Sequence, residues 1–204
     1  MRDVDGQRDL GGAVEGVRGR WEPPDAGGLS DEALCRRAAD RDETAFDLLV
    51  ARYQQRAYRL AWSLLRDAEE ARDLSQEAFV RLWETAGSFA GRSRFSTWFY
   101  RILVNLCLDH RRKRRADAPG PLPDGEDTPA PGIDPVARLE REEAMRPLWP
   151  AVDRLAPRQR AALLLQLEDL STGEIAAVLK CSEATVRVHL HRALTTLRKA
   201  MGTV

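Results

Sequence analysis

Apolar residues recur at three- and four-residue steps through the run that ends at Leu65: Phe46, Leu49, Val50, Tyr53, Ala57, Leu60, Ala61 and Leu64. That spacing stacks them on one side of a helix, so the run from Ser30 to Leu65 reads as helical with a broad buried stripe. Ser30, followed by Asp31 and Glu32, is an N-cap signature at its start. A further helix is predicted over about 67–84 on Leu74, Ala78, Val80, Leu82 and Trp83, then a loop over 87–94 and a long helix over about 96–115. The chain then changes character. Residues 116–135 hold six prolines and three glycines, which no stable helix or strand tolerates, and they mark a domain boundary. Four more helices are predicted, over about 136–153, 157–168, 172–179 and 183–200, with Pro157 where a first helical turn accepts it. No segment alternates with period two. The expected fold class is therefore all-α: two small helical domains, 30–115 and 136–204, joined by a Pro/Gly-rich acidic linker (116–135) and preceded by a disordered leader (1–29).

Composition changes this picture little, and charge placement changes it a great deal. The 204 residues carry 32 basic and 32 acidic side chains, a net charge of zero. The charges are segregated. The first 32 residues hold eight acids against four bases, residues 116–146 hold eight against three, and residues 180–199 hold five bases against one acid. Residues 92–115 hold eight bases against one acid, a local charge of about +7. No apolar run approaches the roughly 18–20 residues that span a bilayer, so no membrane insertion is expected. The opening MRDVDGQRDLGG lacks the apolar segment of a signal peptide. Cys35, Cys107 and Cys181 are scattered, with no CxxC pair, which fits a reducing cytoplasm and argues against a disulfide framework or a zinc site. His110, His189 and His191 are the only histidines. The last two lie two residues apart on a predicted helix and share no face, so no metal is expected. With no Ser/His/Asp set and no phosphate loop, neither catalysis nor a cofactor is expected.

Two segments carry chemistry. In RSRFSTWFYRILVNLCLDHRRKRR (92–115), Phe95, Trp98, Phe99 and Tyr100 stand upstream of five consecutive cations, Arg111, Arg112, Lys113, Arg114 and Arg115. Cations attract a phosphate backbone and aromatic faces accept unstacked bases. Phe95, Phe99, Ile102 and Leu106 form the core stripe of this helix. Trp98, Arg101, Asn105, Leu108 and Arg112 run along another face, where Asn105 offers both the donor and the acceptor that read a base edge. The second segment, STGEIAAVLKCSEATVRVHLHRALTTLRKAM, opens on a capping box, Ser171 and Glu174. Ile175, Ala176 and Leu179 form the first helix's stripe, and Lys180-Cys181-Ser182 make a tight break. Val186, Leu190, Ala193, Leu194 and Leu197 are expected to pack inward, leaving Arg187, Val188, His191 and Arg192 outward. A short helix, a three-residue turn and a basic second helix suit a major groove.

In this order the two modules resemble the sigma-70 family of bacterial transcription initiation factors, specifically its extracytoplasmic-function (ECF) branch. The resemblance runs from about Asp31 to Met201. DAEEARDLSQEAFVRLW looks like the segment that docks the polymerase clamp coiled coil, which would place Asp73, Gln76, Glu77 and Phe79 in that contact. FAGRSRFSTWFYRILVNLCLDHRRKRR looks like the segment that melts and reads the minus-ten element. It implies DNA contacts at Arg92, Arg94, Phe95, Trp98, Arg101, Asn105 and the 111–115 cations, with an extruded base held by Asn105 and the 87–95 loop. The C-terminal module resembles the reader of the duplex minus-thirty-five element, implying contacts from Glu183, Thr185, Arg187, Val188, His191 and Arg192. The implied partners are core RNA polymerase through its clamp coiled coil and flap, promoter DNA, and an anti-sigma factor. The alternative reading, a conventional helix–turn–helix regulator of duplex operators, leaves the acidic docking helix and residues 92–115 unexplained.

Overall fold

A computed structural model describes residues 28–117 and 149–201. Among them every regular element is a helix. The leader up to residue 27, most of the linker and residues 136–148 of the predicted 136–153 helix lie outside the described residues.

Helix α1 (Asp31–Ala39) starts where the Ser30 hydroxyl accepts from the Ala33 N–H at 3.2 Å. The predicted run to Leu65 is two helices and not one. Arg41 takes φ +66°, and Asp42 caps α2 (Glu43–Leu65) by accepting from Ala45 N–H at 3.0 Å. A left-handed residue followed by an N-cap ends one helix and begins the next, whatever the apolar periodicity does. Arg66, also left-handed, closes α2 with its guanidinium 4.1 Å over the Trp62 ring. Asp67 then caps α3 (Ala68–Thr85), a 3₁₀ turn covers Ala86–Ser88, and a loop leads into α4 (Phe95–Asp117). The first N–H of α4, on Phe95, is satisfied from a distance by Glu32 of α1 at 3.0 Å.

After the gap come α5 (Trp149–Asp153), α6 (Pro157–Leu167), α7 (Thr172–Leu179) and α8 (Glu183–Met201). The Ser171–Glu174 capping box starts α7 as expected, and Lys180 at φ +51° ends it. Ser182 accepts from Thr185 N–H at 3.1 Å to begin α8.

An aromatic knot anchors the first half. Phe99 lies 4.9 Å from Phe79, 5.5 Å from Tyr53 and 6.0 Å from Phe95, centroid to centroid. Phe95 and Phe99 are fully buried. Burial of such side chains contributes roughly 1.5–3 kcal/mol each. One apolar core continues from these rings through Ala161, Leu165, Ile175, Val178 and Val186 of the second half. A smaller cluster of Leu155, Leu163 and Ala193, backed by Leu197, holds α6 on α8. Leu194, expected inward, is instead 39% exposed. Val186, Leu190, Ala193 and Leu197 step by four, three and four to make the seam, and Leu194 sits about 100° round the helix from Ala193.

Candidate nucleic-acid interface

The loop after α3 and the first turn of α4 enclose a cleft of about 330 Å³, lined by Phe89, Gly91, Arg92, Thr97, Trp98 and Arg101 among others. The volume lies in the range of small-ligand sites. Gly91 turns the loop with φ +66°, a conformation that L side chains rarely adopt. Phe89 packs on Trp98 at 5.3 Å and on Phe95 at 6.2 Å, so the loop is fastened to α4 by its one large apolar residue. The result is an aromatic edge beside two exposed guanidinium groups. A flat, anionic ligand unit finds both a stacking surface and charge there.

The predicted minus-ten contacts divide into three groups. Arg92, Arg101, Arg112, Lys113 and Arg115 are exposed, and Arg112 pairs only across the surface with Asp109 at 3.4 Å. Asn105 is half-buried beside them, its Nδ2 donating to the Arg101 carbonyl at 2.6 Å. A second group is engaged inside the protein. Arg111 donates to the Leu64 carbonyl at the end of α2, and burial lowers its pKa below the ordinary arginine value. Arg114 pairs with Glu70 in the first turn of α3 at 2.8 Å and with its N-cap Asp67 at 4.0 Å. Arg94 donates to Glu174 through Nε and Nη2, both at 2.5 Å. The third group is core. Phe95 has no exposed surface, in keeping with its place in the core stripe, and it lies behind Trp98, which is 8% exposed at the cleft. A stripe of aromatic residues in sequence does not say which ring is covered by α1 and α2.

On α3, Asp73 and Gln76 are exposed, and Glu77 is half-buried in an ion pair with Arg81 at 2.6 Å. Val80 continues that surface as an apolar residue 55% exposed. Phe79 is 9% exposed and packs on Phe99, so it shapes this face from beneath.

On α8, Glu183, Arg187, Val188, His191 and Arg192 face outward, while Thr185 is half-buried with its hydroxyl 2.9 Å from that of Ser182. Arg187 pairs with Glu183 at 3.6 Å along the helix. His189 faces partly inward, where burial first, then Arg158 and Arg192, lower its pKa.

Three residues make tertiary contacts here that the sequence does not show. Glu32 holds the first turn of α4. Thr97 and Glu174 meet across the two halves, with Thr97 Oγ1 donating to Glu174 Oε1 at 2.8 Å. Glu174 was legible as a capping residue, and its second partner set is tertiary. The Glu174 carboxyl is held far below the ordinary carboxylate range, chiefly by the Arg94 guanidinium, with burial opposing and Ser171 and Thr97 adding.

Comparison with known proteins places this geometry. The family description "Sigma-70 region 2" matches residues 49–116, and "Sigma-70, region 4" matches residues 146–197. RNA polymerase sigma-H factor of Pseudomonas aeruginosa is 35% identical over 84% of this chain and 93% of its own length. ECF RNA polymerase sigma factor SigM of Mycobacterium tuberculosis is 34% identical over 92% of this chain and 89% of its own. The solved structure of CnrH in complex with the cytosolic domain of CnrY superposes with a TM-score of 0.63 at 26% identity, covering 85% of this chain and 97% of that one. A chain with both sigma-70 regions, in this order and at this coverage, belongs to the sigma-70 family, among the ECF RNA polymerase sigma factors.

Proposed function

We propose that this chain is an alternative sigma factor whose first half (30–115) docks on core RNA polymerase and opens the minus-ten element, while its second half (136–204) reads the minus-thirty-five duplex. Asp73, Gln76 and Glu77 present the polar docking face on α3, with Val80 as its apolar centre. The cleft between the 3₁₀ turn and α4 receives a base extruded from the non-template strand, against Trp98 and Phe89 and beside Arg92 and Arg101. Arg112, Lys113 and Arg115 hold the adjoining phosphates. Extruding a base costs a few kcal/mol, and stacking returns about 1–3 kcal/mol per base, so one or two captured bases bring strand opening close to neutral. No bond need be made or broken by this chain. The observation that carries the reading is the cleft itself: a glycine-turned loop that sets an aromatic edge beside exposed cations, at the start of a helix whose far end is basic.

In α7–α8, Arg187, Val188, His191 and Arg192 lie on the exposed face of the second helix, where a major groove accepts a recognition helix. Work beside the polymerase implies a cytoplasmic protein, and no helix among the described residues is long and apolar enough to cross a membrane. The likeness to CnrH bound to the cytosolic domain of CnrY supports a protein partner, in this family an anti-sigma factor. Asn105→Ala in the assembled holoenzyme tests the site. Strand opening, read by 2-aminopurine fluorescence in the minus-ten element, should fall while polymerase binding holds. Undiminished opening with that variant and with Trp98→Leu would remove the cleft from the mechanism.

A further inference from the structure

In a helix–turn–helix the base edges are reached mainly from the N-terminal turns of the second helix. Folding commits most of the polar side chains in those turns of α8. Glu183 accepts from the Thr172 hydroxyl of α7 at 3.3 Å and pairs with Arg187 at 3.6 Å. Thr185 is half-buried, with its hydroxyl 2.9 Å from that of Ser182. Val186 is buried in the core. The outward positions that remain are Ala184 and Val188, four residues apart on one side of the helix, and the guanidinium of Arg187 beside them.

Val188 is 47% exposed. Valine is stiff and a weaker helix former than alanine or leucine, so local structure does not favour it at an open helical position. Nor does it belong to a larger apolar surface. Its neighbours one turn away are Ala184, Thr185, His191 and Arg192, and the other exposed large apolar residue of this helix, Leu194, sits about 120° round it. A protein-binding face would present a contiguous apolar patch. Residues 180–199 carry five bases against one acid, so an anionic partner is what this side of α8 attracts.

The edges of the base pairs in a major groove present donors, acceptors and one apolar group, the 5-methyl of thymine. We infer that Val188 is a specificity-determining residue that covers a thymine 5-methyl group in the minus-thirty-five duplex, with the small Ala184 beside it letting the base edge approach; this rests on the duplex-reading role proposed for the second half and adds the base that is read. The contact removes the valine methyls and the thymine methyl from water together. It therefore favours thymine over cytosine or uracil, which carry hydrogen at the same ring position. Arg187 and Arg192, exposed on either side, attract the backbone and do not distinguish a methyl from a hydrogen.

The test uses holoenzyme, core polymerase carrying the full chain, at one fixed salt concentration. A duplex pool randomised upstream of a fixed premelted bubble is selected for binding. The selected sequence is then resynthesised with deoxyuridine in place of each thymine of either strand in turn. Uracil keeps every hydrogen-bonding group of thymine and lacks only the methyl. At one thymine the wild-type holoenzyme should bind the uracil duplex about fourfold more weakly, the effect of one methyl withdrawn from water. With Val188→Ala that ratio should fall to near unity at the same position, with the melting temperature of the chain unchanged. A merely structural role for Val188 would weaken thymine and uracil duplexes alike and leave the ratio where it was. Equal binding of thymine and uracil duplexes at every position, a preference that survives Val188→Ala unchanged, or a selected sequence without thymine overturns the assignment. A pool that holoenzyme does not enrich at all upstream of the bubble strikes the duplex-reading role itself, and the assignment with it.

Discussion

The five cations at 111–115 are equal in sequence and unequal in structure, and that difference predicts a measurable split. Arg112, Lys113 and Arg115 point to solvent, whereas Arg111 is tied to the Leu64 carbonyl and Arg114 to Glu70 and Asp67. A phosphate contact on single-stranded nucleic acid contributes about 0.7 to the slope of log affinity against log salt. Neutralising all three outward cations to glutamine should lower that slope by about 2. Between 50 and 200 mM salt the wild-type complex should therefore lose about 20-fold more affinity than the triple variant. The Arg112–Asp109 pair does not protect against this, because its side chains are 79% and 61% exposed and such pairs contribute little. Arg111→Gln should behave in the opposite way. It removes a cation from the carboxyl end of α2, costing about 1–2 kcal/mol of folding stability with little change in slope. The assay is anisotropy of a labelled forked minus-ten fragment bound by holoenzyme across a salt series, beside thermal melts of the isolated chain. Equal slope changes for Arg111→Gln and for the outward cations would refute the partition.

Phe99→Ala should destabilise the chain by about 3–5 kcal/mol in urea unfolding, since it empties the centre of a fully buried aromatic cluster. Asp73→Ala with Gln76→Ala should weaken polymerase association in a pull-down and leave the melting temperature unchanged, both side chains being exposed. Of the three thiols only Cys181 should react promptly with a disulfide reagent in the native state, because burial pushes Cys35 up to about 11 and Cys107 up to about 12. The stabilising contribution of Glu174, whose folded pKa is depressed, should be fully present above its ordinary value of 4.5 and should decline as pH falls below it. The melting-temperature difference between wild type and Glu174→Gln should accordingly be constant from pH 8 to about 5 and shrink at more acid pH.

Much of the fold was legible because local signals agreed with the global one. The capping residues Ser30 and Ser171 act as their positions suggested. Pro157 opens α6, and Phe95, Phe99 and Leu106 of the α4 core stripe are buried as read, with Ile102 half-buried at its margin. The break at residues 40–42 was hidden beneath a continuous apolar rhythm, since a positive φ at Arg41 leaves no trace in hydrophobicity. Leu194 was misplaced because the seam is set by the facing helix and not by apolarity alone. At the site, residue types were readable and allegiances were not. Arg94, Arg111 and Arg114 engage carboxylates and a carbonyl 80, 47 and 44 positions away in the chain, partners that only folding brings close. Phe95 and Phe79 show the same limit, because an aromatic next to a functional residue is covered or open according to tertiary packing.

The central claim is that polymerase uses this chain to select and open promoters. Run-off transcription with purified core enzyme, with and without the chain, on DNA from upstream of its own operon tests it most directly. A discrete transcript that requires the chain and is lost on Asn105→Ala is the expected result. No transcript from any such fragment, with folded protein that fails to associate with core enzyme, would contradict the account.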